Sequence, residues 1–490
     1  MNPLNIFYFI VISAFLISII IIRENRDPAK TISWMLVLIL LPGIGFFLYL
    51  MFGENLRKKK LKKTQRFFDE IMNSKNMNAV MAFEELLKVQ REAIKDGLLF
   101  QEIEDISKKR VMSLMLNTGR SPVTFNNSTK IYIEGKEKFK DLLNDIENAK
   151  EYIHMEYFIV KNSTIGMMIR DALIKKAKEG VKVRFIYDDV GSWRLFFDRK
   201  YISGLKEAGV EIHPFLPVRV PFFHRRLNYR NHRKIAVIDG KYGYIGGLNI
   251  GDEYIHKNPK FGFWRDTHLR IHGEAVYLLH ITFFIDWYIA SGENLISKRY
   301  FPPIPNEGNN LIQIVSSGPD SEWESIQQAY FASMAQAKKR IYLQTPYFIP
   351  NQGILDALKT AALSGVDVKI MFPGIPDHKI VYAASYSYFE EILEAGGRIF
   401  LYDKGFLHAK TLVVDDQIAS VGSANMDIRS FLINFEINSF FYDEAIISEM
   451  VEIFYEDMEY CKELTLEEYQ NRPWTTKFKE STARLFSPIL

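Results

Sequence analysis

The feature that most limits how this chain can fold is an internal duplication. Residues 232–249, HRKIAVIDGKYGYIGGLN, and residues 408–425, HAKTLVVDDQIASVGSAN, each carry His followed by Lys at +2, Asp at +7, Gly at +14 and Asn at +17. The copies start 176 residues apart. Five fixed identities at odds of roughly one in twenty each give about 10⁻⁴ for one chance match in a chain of this length. Two copies are therefore one repeated pattern, and the chain is expected to contain two similar halves.

Apolar runs at residues 235–238 and 411–414 separate the polar positions, as in a buried strand. Side chains at i and i+2 share a strand face, so His232 lies beside Lys234 and His408 beside Lys410. Asp239 and Asp415 fall near the strand ends. A second strand then leads to a glycine-rich corner holding Gly247 and Asn249 in one copy, Ser423 and Asn425 in the other. Backbone N–H groups and amides at such a corner can bind a phosphate oxygen. A lone histidine on an apolar strand is ordinarily a satisfied core residue; its repetition with identical spacing argues for chemistry.

HxKxxxxD with a trailing G(G/S)xN resembles the HKD signature of the phospholipase D superfamily, whose two copies form one site that transfers phosphoryl groups without metal. The resemblance implies His232, Lys234, Asp239, His408, Lys410 and Asp415 as catalytic residues, with Asn249, Asn425, Gly247 and Ser423 at the phosphate. It favours His232 as nucleophile and His408 as general acid, although the symmetry of the motifs leaves that order open. Gly247 departs from Ser423, so a hydroxyl contact to phosphate is expected from one half only.

Carboxylates that orient the imidazoles can be found by extending the alignment. Glu436 stands 28 residues after His408, where the first copy has Lys260; a six-residue insertion aligns Asp266 with Glu436, and Glu274 then matches Glu444. Asp266 is expected to hold His232, and Glu436 to hold His408, each through the second ring nitrogen.

The repeat extends beyond the motifs. AKEYIHMEYFIV, a helix near residues 165–178 and GVKVRFIYDDVG parallel AKKRIYLQTPYFIP, a helix near 354–363 and GVDVKIMFPGIP. Strand, helix, strand in that order gives βαβ units. The expected fold is α/β: two phospholipase D-like βαβ halves with mostly parallel sheets around one shared site, at 122–305 and 306–490, joined near PPIPNEGN. Residues 57–121 read as a basic and helical connector whose Met and Phe stripe is packing surface.

Residues 6–22 and 32–52 are free of charged side chains. The first is at the lower limit for a bilayer span and the second is long enough, though Pro42, Gly43 and Gly45 leave open a kinked span or a re-entrant segment. Residues 1–56 are thus expected to form a transmembrane helical hairpin. Seven basic residues lie in ENLRKKKLKKTQR after it, against three in RENRDPAK between the runs, which puts the catalytic portion on the cytoplasmic side. The polybasic stretch would attract anionic lipid. So would VRVPFFHRRLNYRNHRK, just before the first HKD strand, where a nucleic-acid contact uses the same residue types.

A net charge of +3 argues against a chain built mainly for nucleic acid. One cysteine, Cys461, excludes a cysteine metal cluster, and no HExxH-type spacing occurs, so neither metal nor cofactor is expected. Within the superfamily the chain resembles the bacterial two-HKD cardiolipin synthases, through LPGIGFFLYLMFGENLRKK, IHMEYF, RNHRKIAVIDGKYGYIGGLNIGDEY, FWRDTHLRIHG, LQTPYFIP, GFLHAKTLVVDD, GSANMDIRSFLINFE and ARLFSPIL. That implies phosphatidyl transfer between two phosphatidylglycerol molecules at a cell membrane. A hydrolytic phospholipase D would share every residue named; a membrane-tethered nuclease would need a long basic groove; an inactive scaffold would not be expected to keep both sets of His, Lys and Asn.

Overall fold

The computed structural model describes residues 106–218, 228–303 and 308–487, together with 28–41, 85–93 and single positions 8, 12, 15, 19, 45 and 49. Most of the first hydrophobic run, the polybasic stretch and residues 219–227 of the basic stretch before His232 lie outside the described residues. Helix Pro28–Leu40 is described within the N-terminal region. No helix among the described residues is long and apolar enough to cross a membrane.

The first half contributes β1 (Asn127–Tyr132), β2 (Tyr152–Tyr157), β3 (Lys182–Asp188), β4 (Glu211–Phe215), β5 (Lys234–Ile238), β6 (Tyr242–Gly246), β7 (Phe263–Arg265) and β8 (His268–Gly273). The second contributes β9 (Ile312–Ser317), β10 (Arg340–Gln344), β11 (Phe348–Ile349), β12 (Asp367–Pro373), β13 (Arg398–Tyr402), β14 (Gly405–Leu407), β15 (Thr411–Val414), β16 (Ile418–Gly422), β17 (Met426–Asp427), β18 (Glu436–Phe441) and β19 (Cys461–Leu464). One sheet runs β1-β8-β6-β5-β2-β3-β4 and the other β19-β13-β12-β10-β15-β16-β18-β9. Strand for strand the halves match, with β19 as an extra edge.

The sheets are mixed, which corrects the expectation of mostly parallel strands. Within the two large sheets only β2–β3, β3–β4, β10–β12 and β12–β13 pair in parallel, through the βαβ crossovers. Each HKD hairpin then enters antiparallel to the central strand, β5 on β2 and β15 on β10, and its neighbours continue antiparallel. The crossover helices are capped as their sequences suggest: Ser163 accepts from the Gly166 N–H and Asn351 from the Ile354 N–H.

Each half has its own core, and a third cluster fills the space between them. Helix Ala275–Ser291, AVYLLHITFFIDWYIAS, is apolar around almost its whole circumference and is correspondingly buried, with Phe283, Phe284 and Trp287 in the inter-half cluster. Helix Ile106–Thr118, from the connector, joins the second half: Val111, Met112 and Met115 pack with Tyr330 and Ile341. Its Met stripe is thus packing surface, and Gln313 of β9 donates to the Met112 carbonyl.

Candidate active site

Both histidines sit where a strand of one half is extended by a short pairing with the other half. Ahead of His408, β14 pairs in parallel with β7, Leu407 opposite Arg265, and the His408 N–H donates to the Arg265 carbonyl at 2.6 Å. The next residue along β7 is Asp266, and its Oδ2 lies 2.6 Å from His408 Nδ1. On the other side, Asn231 bridges Phe435 in parallel and the His232 N–H donates to the Phe435 carbonyl at 2.9 Å. Glu436 therefore lies beside His232, with Oε2 3.0 Å from Nδ1.

The carboxylates are thus exchanged between halves. Asp266 and Glu436 do approach imidazoles, but Asp266 holds His408 and Glu436 holds His232, the reverse of the within-half pairing expected. Alignment had placed the two acids in equivalent positions, and they are equivalent; the pairing of β7 with β14 decides which ring each one meets. Both rings are almost fully buried, and among the described residues no hydrogen bond reaches either Nε2. Phe158 packs edge-on against His232 with ring centroids 4.9 Å apart, and Trp264 lies 5.1 Å from His408.

Lys234 and Lys410 share the strand faces of their histidines, and each Nζ donates to the carbonyl of its own histidine at 2.5 Å. Lys410 Nζ is also 3.0 Å from His408 Nδ1. Burial, with some opposition from Glu436, brings the Lys234 ammonium down to about 7. Burial likewise brings Lys410 to about 8, against the pull of Asp266 and Glu436. His232 falls to about 4 because burial outweighs the Glu436 carboxylate, and His408 is lowered by burial and by Lys410. Burial raises Asp266 and Glu436, but the facing imidazoles and lysines more than reverse this and both end below their ordinary values. Burial thus favours the neutral form of both imidazoles, with each Nδ1 facing a carboxylate and each Nε2 turned away from it.

Two aligned pairs do different work from that expected. Asp239 and Asp415 are not brought to the imidazoles: they sit at the far ends of β5 and β15. Asp239 accepts from the Lys150, Glu151 and Tyr152 N–H groups at 2.7, 2.9 and 2.9 Å, and Asp415 from those of Lys338, Lys339 and Arg340 at 2.9, 2.7 and 3.0 Å. Both occupy the left-handed region, at φ 52° and 53°. Each clamps the start of the central strand to the end of the HKD strand, a structural task. Ser423 donates to Glu436 Oε2 at 2.5 Å, so its hydroxyl is committed to the carboxylate and not to a phosphate. At Gly247 a Cβ would stand 2.0 Å from Asp266 Oδ1, so glycine is required for the shorter acid to approach. Asn249 accepts from the Ile159 N–H and donates to the Tyr254 hydroxyl. The Asn425 N–H donates to Ser430, while its Oδ1 is buried without a hydrogen-bond partner.

Several site residues went unnoticed in the sequence. Arg233 Nε donates to the Glu436 carbonyl at 3.1 Å and its Nη1 donates to Asp286. Arg265 Nη1 donates to the Asp266 carbonyl at 2.7 Å and its Nε to both oxygens of Asp457 at 2.9 and 2.8 Å. Each arginine fixes the backbone of an orienting carboxylate, and each is neutralised by an Asp near the end of the helix that follows Glu274 or Glu444. The two Asp residues fall one position out of step in the alignment, twelve residues after Glu274 and thirteen after Glu444, so comparison of the halves did not pair them. Asp188, at the end of β3, receives the Asn231 N–H at 2.9 Å and so helps hold the residue before His232.

Two α/β halves that pool one histidine and one lysine each, with crossed carboxylates, define a phospholipase D-type fold. Phosphatidylserine synthase of Haemophilus influenzae has the same architecture, with a TM-score of 0.59 at 16% identity over 78% of this chain and 100% of that one. Residues 142–264 and 330–458 match the family described as cardiolipin synthase, PLD-like domain, and residues 7–54 match the phospholipase D-nuclease N-terminal family. A cardiolipin synthase of Halalkalibacterium halodurans is 45% identical, with 98% of this chain and 93% of that protein covered. The major cardiolipin synthase of Bacillus subtilis is 44% identical, with 98% of each covered. The chain belongs to the cardiolipin synthase family of phospholipase D-like proteins.

Proposed function

We propose that the chain is a phosphatidyltransferase that moves a phosphatidyl group from one phosphatidylglycerol to another, giving cardiolipin and glycerol. Full-length identity to proteins named cardiolipin synthase supports the substrate class. The observation that carries the chemistry is the pair of imidazoles, each held at Nδ1 by a carboxylate of the opposite half.

In the first step His232 Nε2 attacks phosphorus, the bond from phosphorus to the glycerol oxygen breaks, and His408 protonates the leaving alkoxide. Burial and Lys410 disfavour the charged form of His408, so its Nε2 takes up a proton as the anionic substrate enters, where the substrate phosphate favours that charge. In the second step His408 takes the proton of the incoming glycerol hydroxyl, that oxygen attacks the phosphohistidine, and the P–N bond breaks. Lys234 and Lys410 offset charge that spreads over the equatorial oxygens, with Asn249 and Asn425 as donors at the glycine-rich corners. Asp266 and Glu436 act through the imidazoles as positioning residues.

The same reading sets the protein at a membrane, residues 6–22 and 32–52 forming a hairpin and the catalytic halves facing the cytoplasm. The match of residues 7–54 to an N-terminal family and the basic flank after residue 56 support it. The deciding experiment is to supply the membrane-inserted protein with phosphatidylglycerol and identify the products. Cardiolipin and free glycerol in equal amounts are expected. Phosphatidic acid as the main product would instead make water the acceptor and the protein a hydrolase.

A further inference from the structure

Two exposed aromatic patches, one on each half, are left unused by the chemistry above. The first follows β3, where residues 193–197 read Trp-Arg-Leu-Phe-Phe: Leu195 is buried, while Trp193, Phe196 and Phe197 are 56%, 72% and 75% exposed. The second is the C-terminal helix Trp474–Arg484 and the turn after it, with Trp474, Phe478 and Leu485 at 74%, 66% and 78%. Spacings of four and seven residues put these three on one face of a helix, and the opposite face is anchored through Ala483 and Glu480.

Both patches stand at the catalytic pole of their half. The loop after β3 is fixed to the site, since Ser192 Oγ donates to the carbonyl of Phe158, whose ring packs against His232. The C-terminal helix is tied to helix Lys379–Tyr386 and the turn after it, which follow the C-terminal end of β12: Arg472 lies over the Tyr386 ring and Arg484 donates to the Ser387 carbonyl. His232 and His408 enter at these same strand ends, beside Tyr157 of β2 and Gln344 of β10. The cleft is therefore bordered on two sides by outward-facing aromatic side chains.

The exposed charges among these residues are basic, and the acids are less exposed. Arg194, Arg199, Lys200 and Lys479 are exposed. Every acid in the two segments is occupied: Asp189 by the Val218 N–H, Asp198 by the Tyr201 N–H and Asn162, and Glu480 by Arg472. Exposed Trp and Phe interleaved with exposed Arg and Lys suit the headgroup boundary of an anionic bilayer, where rings enter the acyl region and cations meet lipid phosphates. We infer that Trp193, Phe196 and Phe197 on one half and Trp474, Phe478 and Leu485 on the other are a two-point docking surface that seats the mouth of the cleft on the anionic face of the membrane. This rests on the lipid-transfer reading for its choice of partner. It adds a contact separate from the N-terminal hairpin, one that sets the orientation of the catalytic halves.

The test uses the full chain reconstituted in vesicles of phosphatidylcholine and phosphatidylglycerol. In a Cys461→Ser background, an environment-sensitive fluorophore is attached through Phe197→Cys, Phe478→Cys or, as control, Leu363→Cys. Leu363 is 74% exposed but ends the helix that leads into the start of β12, at the opposite pole. Labels at 197 and 478 are expected to be quenched several-fold more by an acyl-chain nitroxide lipid than the label at 363, and several-fold less by iodide. Shielding from iodide without nitroxide quenching would mean that protein covers the patch and would overturn the inference, as would behaviour like 363 at either position. Protection unchanged in pure phosphatidylcholine would remove the anionic part of the proposal. Cardiolipin formation measured in the same vesicles separates the two readings: protected labels with no transfer leave docking intact and sink the reaction.

Discussion

Exchange of carboxylates between halves makes a prediction that within-half pairing would reverse. In Glu436→Gln the amide must replace one oxygen of a group that accepts from His232 Nδ1, from Ser423 and, at 3.2 Å, from Asn434. Whichever way it points, an N–H₂ faces a donor. If it faces the ring, His232 shifts its proton to Nε2 and loses the lone pair that attacks phosphorus. Loss of one charge-assisted hydrogen bond costs about 1.5–3 kcal/mol, or about 10- to 150-fold in rate. Adoption of the wrong tautomer extends this toward about 10⁴-fold, the effect of the same acid-to-amide change in a serine protease triad. The assay is a single turnover with a phosphatidyl ester whose leaving group, such as p-nitrophenolate, needs no proton, followed by trapping of the phospholipid on histidine. His408→Ala and Asp266→Asn should still form the adduct near the wild-type rate; Glu436→Gln should slow it by the factors above; His232→Ala should form none. With phosphatidylglycerol all four should be severely impaired. A slow burst in Asp266→Asn beside a normal one in Glu436→Gln would refute the crossed pairing or the choice of nucleophile, and adduct on His408 in His232→Ala would identify the latter as the error.

Three further outcomes follow from the site. With the Lys234 ammonium depressed to about 7, kcat/KM should fall as pH rises through 7, because the charged form is the active one; Lys234→Arg should lower activity yet lose that limb, as guanidinium does not titrate there. Asp239→Ala should lower stability by about 2–3 kcal/mol in thermal or urea unfolding by orphaning the N–H groups of residues 150–152, while the folded fraction keeps its kcat. Gly247→Ser, although it copies the second half, should cost at least as much activity as Asp266→Asn, because the new Cβ meets Asp266 Oδ1 at 2.0 Å; the reciprocal Ser423→Gly should be far milder in steady-state turnover.

What the sequence disclosed depended on how locally each feature is encoded. The strand pair behind each HKD motif was legible because apolar runs and turn residues are contiguous, and Asp266 was found because Glu274 and Glu444 fixed the length of the insertion. Strand direction was not, since an apolar run such as Ile-Ala-Val-Ile suits a parallel or an antiparallel neighbour equally. The partner of each carboxylate was hidden for a similar reason: β7 and β14 are three residues each and 142 positions apart, too short and too distant for any pattern to join them. Asp239 and Asp415 were misread because their partners are backbone N–H groups some ninety and seventy-five residues upstream, which leave no trace in side-chain identity.

Helix Ile106–Thr118 also bears on the order of folding. It leaves the ribosome before any strand of the first half, yet the groups that cover it come far later: the Ser121 hydroxyl donates to the Ile314 carbonyl, and Lys108 Nζ to the carbonyl of Tyr442 at 2.9 Å. Val111, Met112 and Met115 must therefore wait, apolar and uncovered, through synthesis of roughly two hundred residues, at about 5–20 residues per second. For those tens of seconds the nascent chain carries a sticky amino-terminal segment, and a chaperone or the bilayer itself is the surface available to hold it. A truncation that ends after β8 would leave that segment permanently bare, and would aggregate even if its own sheet had folded correctly.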